Sequence, residues 1–377
     1  MKAIARAFAI ICLAAASAQA SDIKLPPKIT WAVLSESARV EANAIGDALR
    51  ASTGVELDVK FEHADLARDD LLRSGRVDFA ANSVGSSVGA QEGAFGFADP
   101  SWGPQKVRLV LADANEPVDY ALAVAGDLGI KSYADLRGKR VAWYSDETVV
   151  NVNTEAYLAY GGLTWNDVQK VPVKGFFDQG LQAMEAGKLD AAFAATTMPG
   201  AYDAAKGPRG LFWPPLDPQN SAGLARMLQV APYLTFHTVM DGVNIDHTRG
   251  LYGAYYAYPV LVAMANTDRD LAYNMAKALV ELYPQYKDRA PGINGWRIEV
   301  QQHEWFIPYH EGAIAYLKEA GVWTAADQAY NDHLVARQEL LAATWQALKA
   351  ENPPDWTKAW SERRRQVLKE NGFAPVF

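Results

Sequence analysis

Cysteine is almost missing: among 377 residues the only one is Cys12. That excludes a disulfide framework, a thiolate zinc cluster and a paired-cysteine redox centre. Histidine is scarce too, six in all and scattered, at 63, 237, 247, 303, 310 and 333. None makes an H-E-x-x-H pair; His303-Glu304 lacks the second ligand one turn on. The phosphate-cradling glycine loop and the dinucleotide fingerprint are missing as well. The sequence therefore points to no enzyme, cofactor or metal. Basic residues are outnumbered, 36 against 44 acidic, for a formal charge of -8 and no long basic run. Nucleic-acid binding needs a concentrated positive face, so that class is excluded.

What is present describes a folded protein. Half the residues are hydrophobic, and 11 Trp, 17 Tyr and 13 Phe call for large buried surfaces. The length suits two domains better than one core. The first twenty residues read as an export signal, with Lys2 and Arg6 ahead of an apolar stretch over 7–16 and the small-x-small site Ala18-Gln19-Ala20. The apolar stretch is far short of the roughly 20 residues that span a bilayer. Cleavage would leave a cysteine-free chain from Ser21 with 34 basic and 44 acidic residues, a net charge of about -10. Periplasmic location is the expectation.

A faint repeat runs through the next part of the chain. Strand patterns at 28–34, 55–59 and 76–80 alternate with helical patterns at 40–51 and 64–73. A second set follows, with strands at 140–144, 171–173 and 188–193 and helices at 152–160 and 178–186. Trp31 and Trp143, Gly75 and Gly187, and Asp78 and Asp190 are each 112 apart. Alternating strands and helices imply parallel sheets covered on both faces. Two such lobes in series bind a ligand where strand ends and helix N-termini face a crevice. The breaks at 115–117 and 214–218 divide the chain into a first lobe (22–117 and 218–322) and a second (118–217). A tail over 323–377 reads as two helices split by Asn352-Pro353-Pro354-Asp355, with Arg363-Arg364-Arg365 on a solvated face. Packing across both lobes and a dimer contact are both open to it, and the oligomeric state is not legible.

The run Gly129-Ile130-Lys131-Ser132-Tyr133-Ala134-Asp135-Leu136-Arg137-Gly138-Lys139-Arg140-Val141 resembles the start of the second lobe in periplasmic solute-binding proteins, ABC importer receptors included. The segment from Ile307-Pro308-Tyr309-His310-Glu311-Gly312-Ala313 to Gly321 is similar to the close of the TAXI family, the receptors of TRAP-type transporters. By its own physics it is a proline stop and an amphipathic helix, with His310 structural. The resemblance covers about 28–322. It implies an α/β protein of the periplasmic-binding-protein type II fold, two lobes joined by a hinge, plus the C-terminal helical extension. It also implies capture of a small organic anion and delivery to the membrane permease subunits of a TRAP transporter, without chemistry. An ABC-importer receptor for an anion or amine, and a sensor acting through a membrane kinase, are the alternatives.

Position within that fold puts Ser35, Glu36, Ser37 and Arg39 in the first loop, where the family's glycines and tyrosines are lost. Asn82 and Ser83 follow the next strand. Lobe two offers Trp143, Tyr144, Ser145 and Thr148, then Thr196, Thr197 and Met198. Tyr233, Phe236 and His237 fall in the family's hinge-side aromatic segment, whereas Tyr255 and its neighbours belong to the core. Arg39 is the candidate for a carboxylate, with a solvated helix-start side chain as the other reading. Asp146 and Glu147 are either helix caps or pocket groups. If Glu36, Asp146 and Glu147 face the pocket beside aromatics, an amine is favoured over an acid.

Overall fold

The computed structural model describes residues 22–114, 119–145 and 147–377. The expected export signal with Cys12, the break at 115–117 and Asp146 lie outside the described residues.

The chain begins with β1 (Lys28–Val33), α1 (Glu36–Thr53), β2 (Glu56–Phe61), α2 (Asp65–Arg73), β3 (Phe79–Asn82), α3 (Val84–Glu92) and β4 (Val107–Ala112). It crosses over and forms β5 (Tyr120–Ala125), β6 (Arg140–Tyr144), α4 (Thr148–Tyr160), β7 (Gln169–Val173), α5 (Phe177–Glu185), β8 (Ala191–Ala195), α6 (Pro199–Lys206) and β9 (Leu211–Phe212). Next come α7 (Ser221–Val230), β10 (Thr235–Val239), β11 (Leu251–Tyr255) and β12 (Val260–Met264). The chain ends with α8 (Arg269–Glu281), α9 (Tyr283–Tyr286), α10 (Glu311–Glu319), α11 (Ala325–Glu351) and α12 (Trp356–Glu370).

Two five-stranded sheets result, ordered β2-β1-β3-β12-β4 and β7-β6-β8-β5-β9. The repeat read in the sequence is the first three strands of each. In both sheets the fourth strand runs antiparallel to its neighbours, and it is the strand that follows a crossing from the other lobe. Trp31 lies beside Phe79 in one sheet and Val141 beside Ala191 in the other. The two registers thus differ by two residues, an even slip that leaves every side chain on its own face.

Helices α1, α4 and α5 start earlier than the apolar pattern suggests, while α2 starts one residue later. Ser35 accepts from the Ala38 N–H at 3.2 Å, so α1 begins at Glu36 although its first turn is polar. Residues 218–259 do not return to lobe one as the proline break suggested. Helix α7 packs on α4, and β10–β11 forms a separate antiparallel pair against β5. The second crossing therefore comes just before β12, which inserts between β3 and β4. A proline cluster marks a break in local structure but not where the chain goes next, which is why 218 was misleading.

The closing segment is packing. The His310 N–H donates to the Leu109 carbonyl at 2.8 Å, and its Nδ1 accepts from the Gly312 N–H at 3.1 Å. Burial pushes the imidazole's pKa down. A Cβ on Gly312 would stand 2.2 Å from the Arg269 carbonyl oxygen, so glycine lets α10 lie directly on α8. The tail binds lobe one. Arg337 pairs with buried Glu92 at 2.7 and 2.9 Å, and Trp360 donates to the Gly93 carbonyl at 2.8 Å. Leu341, Trp345, Leu348, Trp360 and Leu368 form a second apolar cluster against Ala98. Arg364 is not on a solvated face: it is buried and donates to the backbone oxygens of Val376 and Phe377 at 3.0 and 2.9 Å. Among the described residues no helix is long and apolar enough to cross a membrane.

Candidate ligand-binding cleft

Strand C-terminal ends of both sheets face one another across a cavity of about 920 Å³. Lobe one contributes the turn into α1, the ends of β2 and β3 and the start of α2. Lobe two contributes the turn into α4, the β7–α5 loop and the β8–α6 loop. Tyr120, after the first crossing, and Tyr256 and Tyr258, before the second, complete the wall.

Of the residues expected from position, Ser35, Glu36, Ser37, Ser83 and Met198 line the cavity. Ser35 is held: its Oγ lies 2.5 Å from the Tyr258 hydroxyl and 2.9 Å from Ser37 Oγ. Ser83 caps α3, accepting from the Ser86 N–H at 3.1 Å. Glu147 lines it too and is buried.

The remaining candidates lie elsewhere, each for a stated reason. Arg39 points along the surface of α1 and grips Glu36 at 2.6 Å, so no arginine lines the cavity among the described residues. Asn82 is fully buried behind the wall, accepting from Arg68 and donating to Asp69 at 3.0 Å. Strand alternation turns Trp143 and Tyr144 away. Trp143 stacks edge-on against Trp165 beneath Lys170, and Tyr144 runs under α5 against Gly180. Ser145 and Thr197 are exposed, and Thr148 opens α4 outside the lining. Thr196 is buried in backbone bonds to Asp119. His237 sits 2.8 Å from buried Asp119, whose pKa burial raises against the lowering by His237. Phe236 stacks on Tyr252, and Tyr233 donates to Asn153 at 2.7 Å, behind the wall.

Several cavity residues escaped the sequence reading. Tyr256, buried, and Tyr258, half-buried, were taken for core but line the cavity. Tyr256 stacks on Tyr120 with ring centres 4.4 Å apart. Phe176 and Phe177 stack at 4.0 Å beside Lys174 and Asp178, and Phe61, His63 and Asp65 form the opposite rim. The signal that could have found them is positional: Phe61 closes β2 and Phe176 follows β7, equivalent strands of the two lobes.

Under the floor lies Arg68, with no exposed surface. It donates to Asp65 at 2.6 Å, to the His63 carbonyl at 3.0 Å and to Asn82. Neighbouring Asp69 is buried, and desolvation raises its pKa to about 6 although Arg68 pulls the other way. No group of three or more histidine, cysteine, aspartate or glutamate side chains that could hold a metal ion occurs among the described residues.

Comparison with known proteins agrees with a family but offers no close relative. No curated protein matches the chain. Among solved structures, the periplasmic aliphatic sulphonate binding protein of Escherichia coli is 13% identical, with TM-score 0.40, over 92% of this chain and 88% of that one. A Prochlorococcus marinus protein solved with methylphosphonate is 12% identical, TM-score 0.47, over 79% and 99%. The binding protein component of an ABC phosphonate transporter from Pseudomonas aeruginosa is 12% identical, TM-score 0.44, over 92% and 98%. A family model matches residues 42–321, three quarters of the length: the chain belongs to the NMT1-like family.

Proposed function

We propose that the chain is a periplasmic solute-binding protein, which captures a small organic solute between its lobes and delivers it unchanged to an importer's membrane permease. One observation carries the reading: a cavity of about 920 Å³ at the strand ends of both sheets, walled by two lobes that two chain crossings join. A solute touching both walls stabilises the closed arrangement over the open one, so binding and closure are one event. The walls hold apolar and aromatic surface with a few polar groups, the usual make-up of a small-molecule site.

The test is small-angle scattering with and without a solute that raises the melting temperature, together with mass spectrometry of the solute afterwards. Closure with recovery of the intact compound is expected; a chemically altered compound would make the protein an enzyme. The importer is of the ABC or the TRAP kind. The names of the similar solved structures favour the first, and only the TAXI-like closing segment goes with the second. The adjacent genes separate them: an ATPase marks an ABC importer, a large fused permease a TRAP transporter, and a sensor kinase the signalling alternative.

A further inference from the structure

Resting on the solute-binding reading, we infer that the cavity takes a solute with a positively charged amine head and an apolar or aromatic body.

Helix N-termini facing a crevice ordinarily await an anion, because their free N–H groups and aligned dipoles favour negative charge. Here the chain supplies those anions itself. Glu36 is the first residue of α1, Asp65 the first of α2, Glu147 immediately precedes α4, and Asp178 is the second of α5. All four line the cavity. A ligand carboxylate would meet helix starts already occupied by like charge.

The cations nearby are committed. Arg39 balances Glu36 from outside, and Arg68 balances Asp65 from beneath, its donors spent on protein acceptors. Counted together, Glu36, Asp65, Glu147 and Asp178 outnumber Arg39, Arg68 and Lys174, four charges to three, an excess of negative charge before Asp69 behind the floor is added.

A second observation points the same way. Asp65 is only 7% exposed; its Oδ1 accepts from Arg68, while its buried Oδ2 has no hydrogen-bond partner. A buried carboxylate oxygen left without a donor costs free energy that a ligand N–H would recover. Elsewhere on the cavity wall stand aromatic pairs, Tyr120 on Tyr256 and Phe176 on Phe177. Ring faces attract a cation and accept an apolar body, and they do neither for a carboxylate.

Calorimetry on the full chain at low salt tests this with three probes sharing one body: phenethylamine, 2-phenylethanol and 3-phenylpropionate. Phenethylamine is expected to bind at least tenfold more tightly than the alcohol, with the acid weaker still. Asp65→Asn should cost the amine about tenfold and leave the alcohol unchanged. Because Asp65 also supports Arg68, Glu147→Gln is the second variant, with the same expected pattern. Preference for 3-phenylpropionate overturns the amine inference and leaves the receptor reading standing. Native mass spectrometry after incubation with a cell extract separates the two further. A retained cation supports the inference, a retained anion overturns it, and retention of nothing overturns the receptor reading itself.

Discussion

Arg68 is the one cation among Asp65, Asp69 and Glu147, with no surface in contact with water. Removing one partner of a buried ionic cluster leaves the others desolvated and uncompensated, which costs about 3–5 kcal/mol. Arg68→Met should therefore lower stability by roughly that amount in urea unfolding, far more than its lost packing alone. Glu41 is the second buried charge of interest. It accepts from Trp296 Nε1 at 3.0 Å, and desolvation raises its pKa to about 7 against the lowering by that bond and by Asp113. Its folded pKa lies above the unfolded one, so the native state binds the extra proton. The stability it contributes is full below the ordinary carboxylate range and is lost as pH rises toward 7. Urea midpoints measured from pH 5 to 8 should fall for the natural chain, and Glu41→Gln should flatten that fall.

At the scale of elements, the tail shows what a helical extension does for lobe one. Trp345 sits edge-on to Trp356 and Trp360, with ring centres 4.6 and 4.8 Å away, and packs on Gly103, where a Cβ would stand 2.6 Å from the indole. Trp345→Ala should cost about 3–5 kcal/mol by the ordinary price of a large core truncation. Calorimetric melting with and without ligand would locate the loss in the lobe-one transition. The strands and helices of both lobes were legible because apolar alternation and helix-ending glycines are local signals. The cavity was legible only in part. Ser35, Glu36, Ser37, Ser83 and Met198 follow strand ends and could be placed by counting. Trp143 and Tyr144 misled because strand alternation sends one to the outer face and the other beneath α5. Asp65, Phe176 and Tyr258 were invisible because tertiary packing, not periodicity, brings three distant loops together. The return to lobe one was misplaced for the same reason: α7 belongs with α4 by contact, and no residue pattern announces that.

At the scale of the whole molecule, the proposed closure turns on how nearly the lobes can touch. Helix α3 of lobe one meets α4 of lobe two at Gly85. A Cβ there would lie 2.6 Å from a Val149 methyl and 2.7 Å from the Tyr233 hydroxyl, which is itself bonded to Asn153. Such approaches are closer than any real Cβ contact, so a side chain at 85 must push the two helices apart. Gly85 lies in the first turn of α3, where a larger residue suits the helical backbone, so the strain falls on the lobe–lobe contact and not on lobe one itself. Gly85→Val should therefore act as a wedge. Scattering should show a larger radius of gyration in the presence of ligand than the natural chain has, and affinity should fall. The unliganded melting temperature should stay close to that of the natural chain. Loss of unliganded stability comparable to the loss in binding would show instead that Gly85 serves the packing of lobe one, and that closure does not pass through this contact. The prediction separates a molecule that works by closing from one that is simply rigid, because only closure is penalised when two intact lobes are kept from meeting.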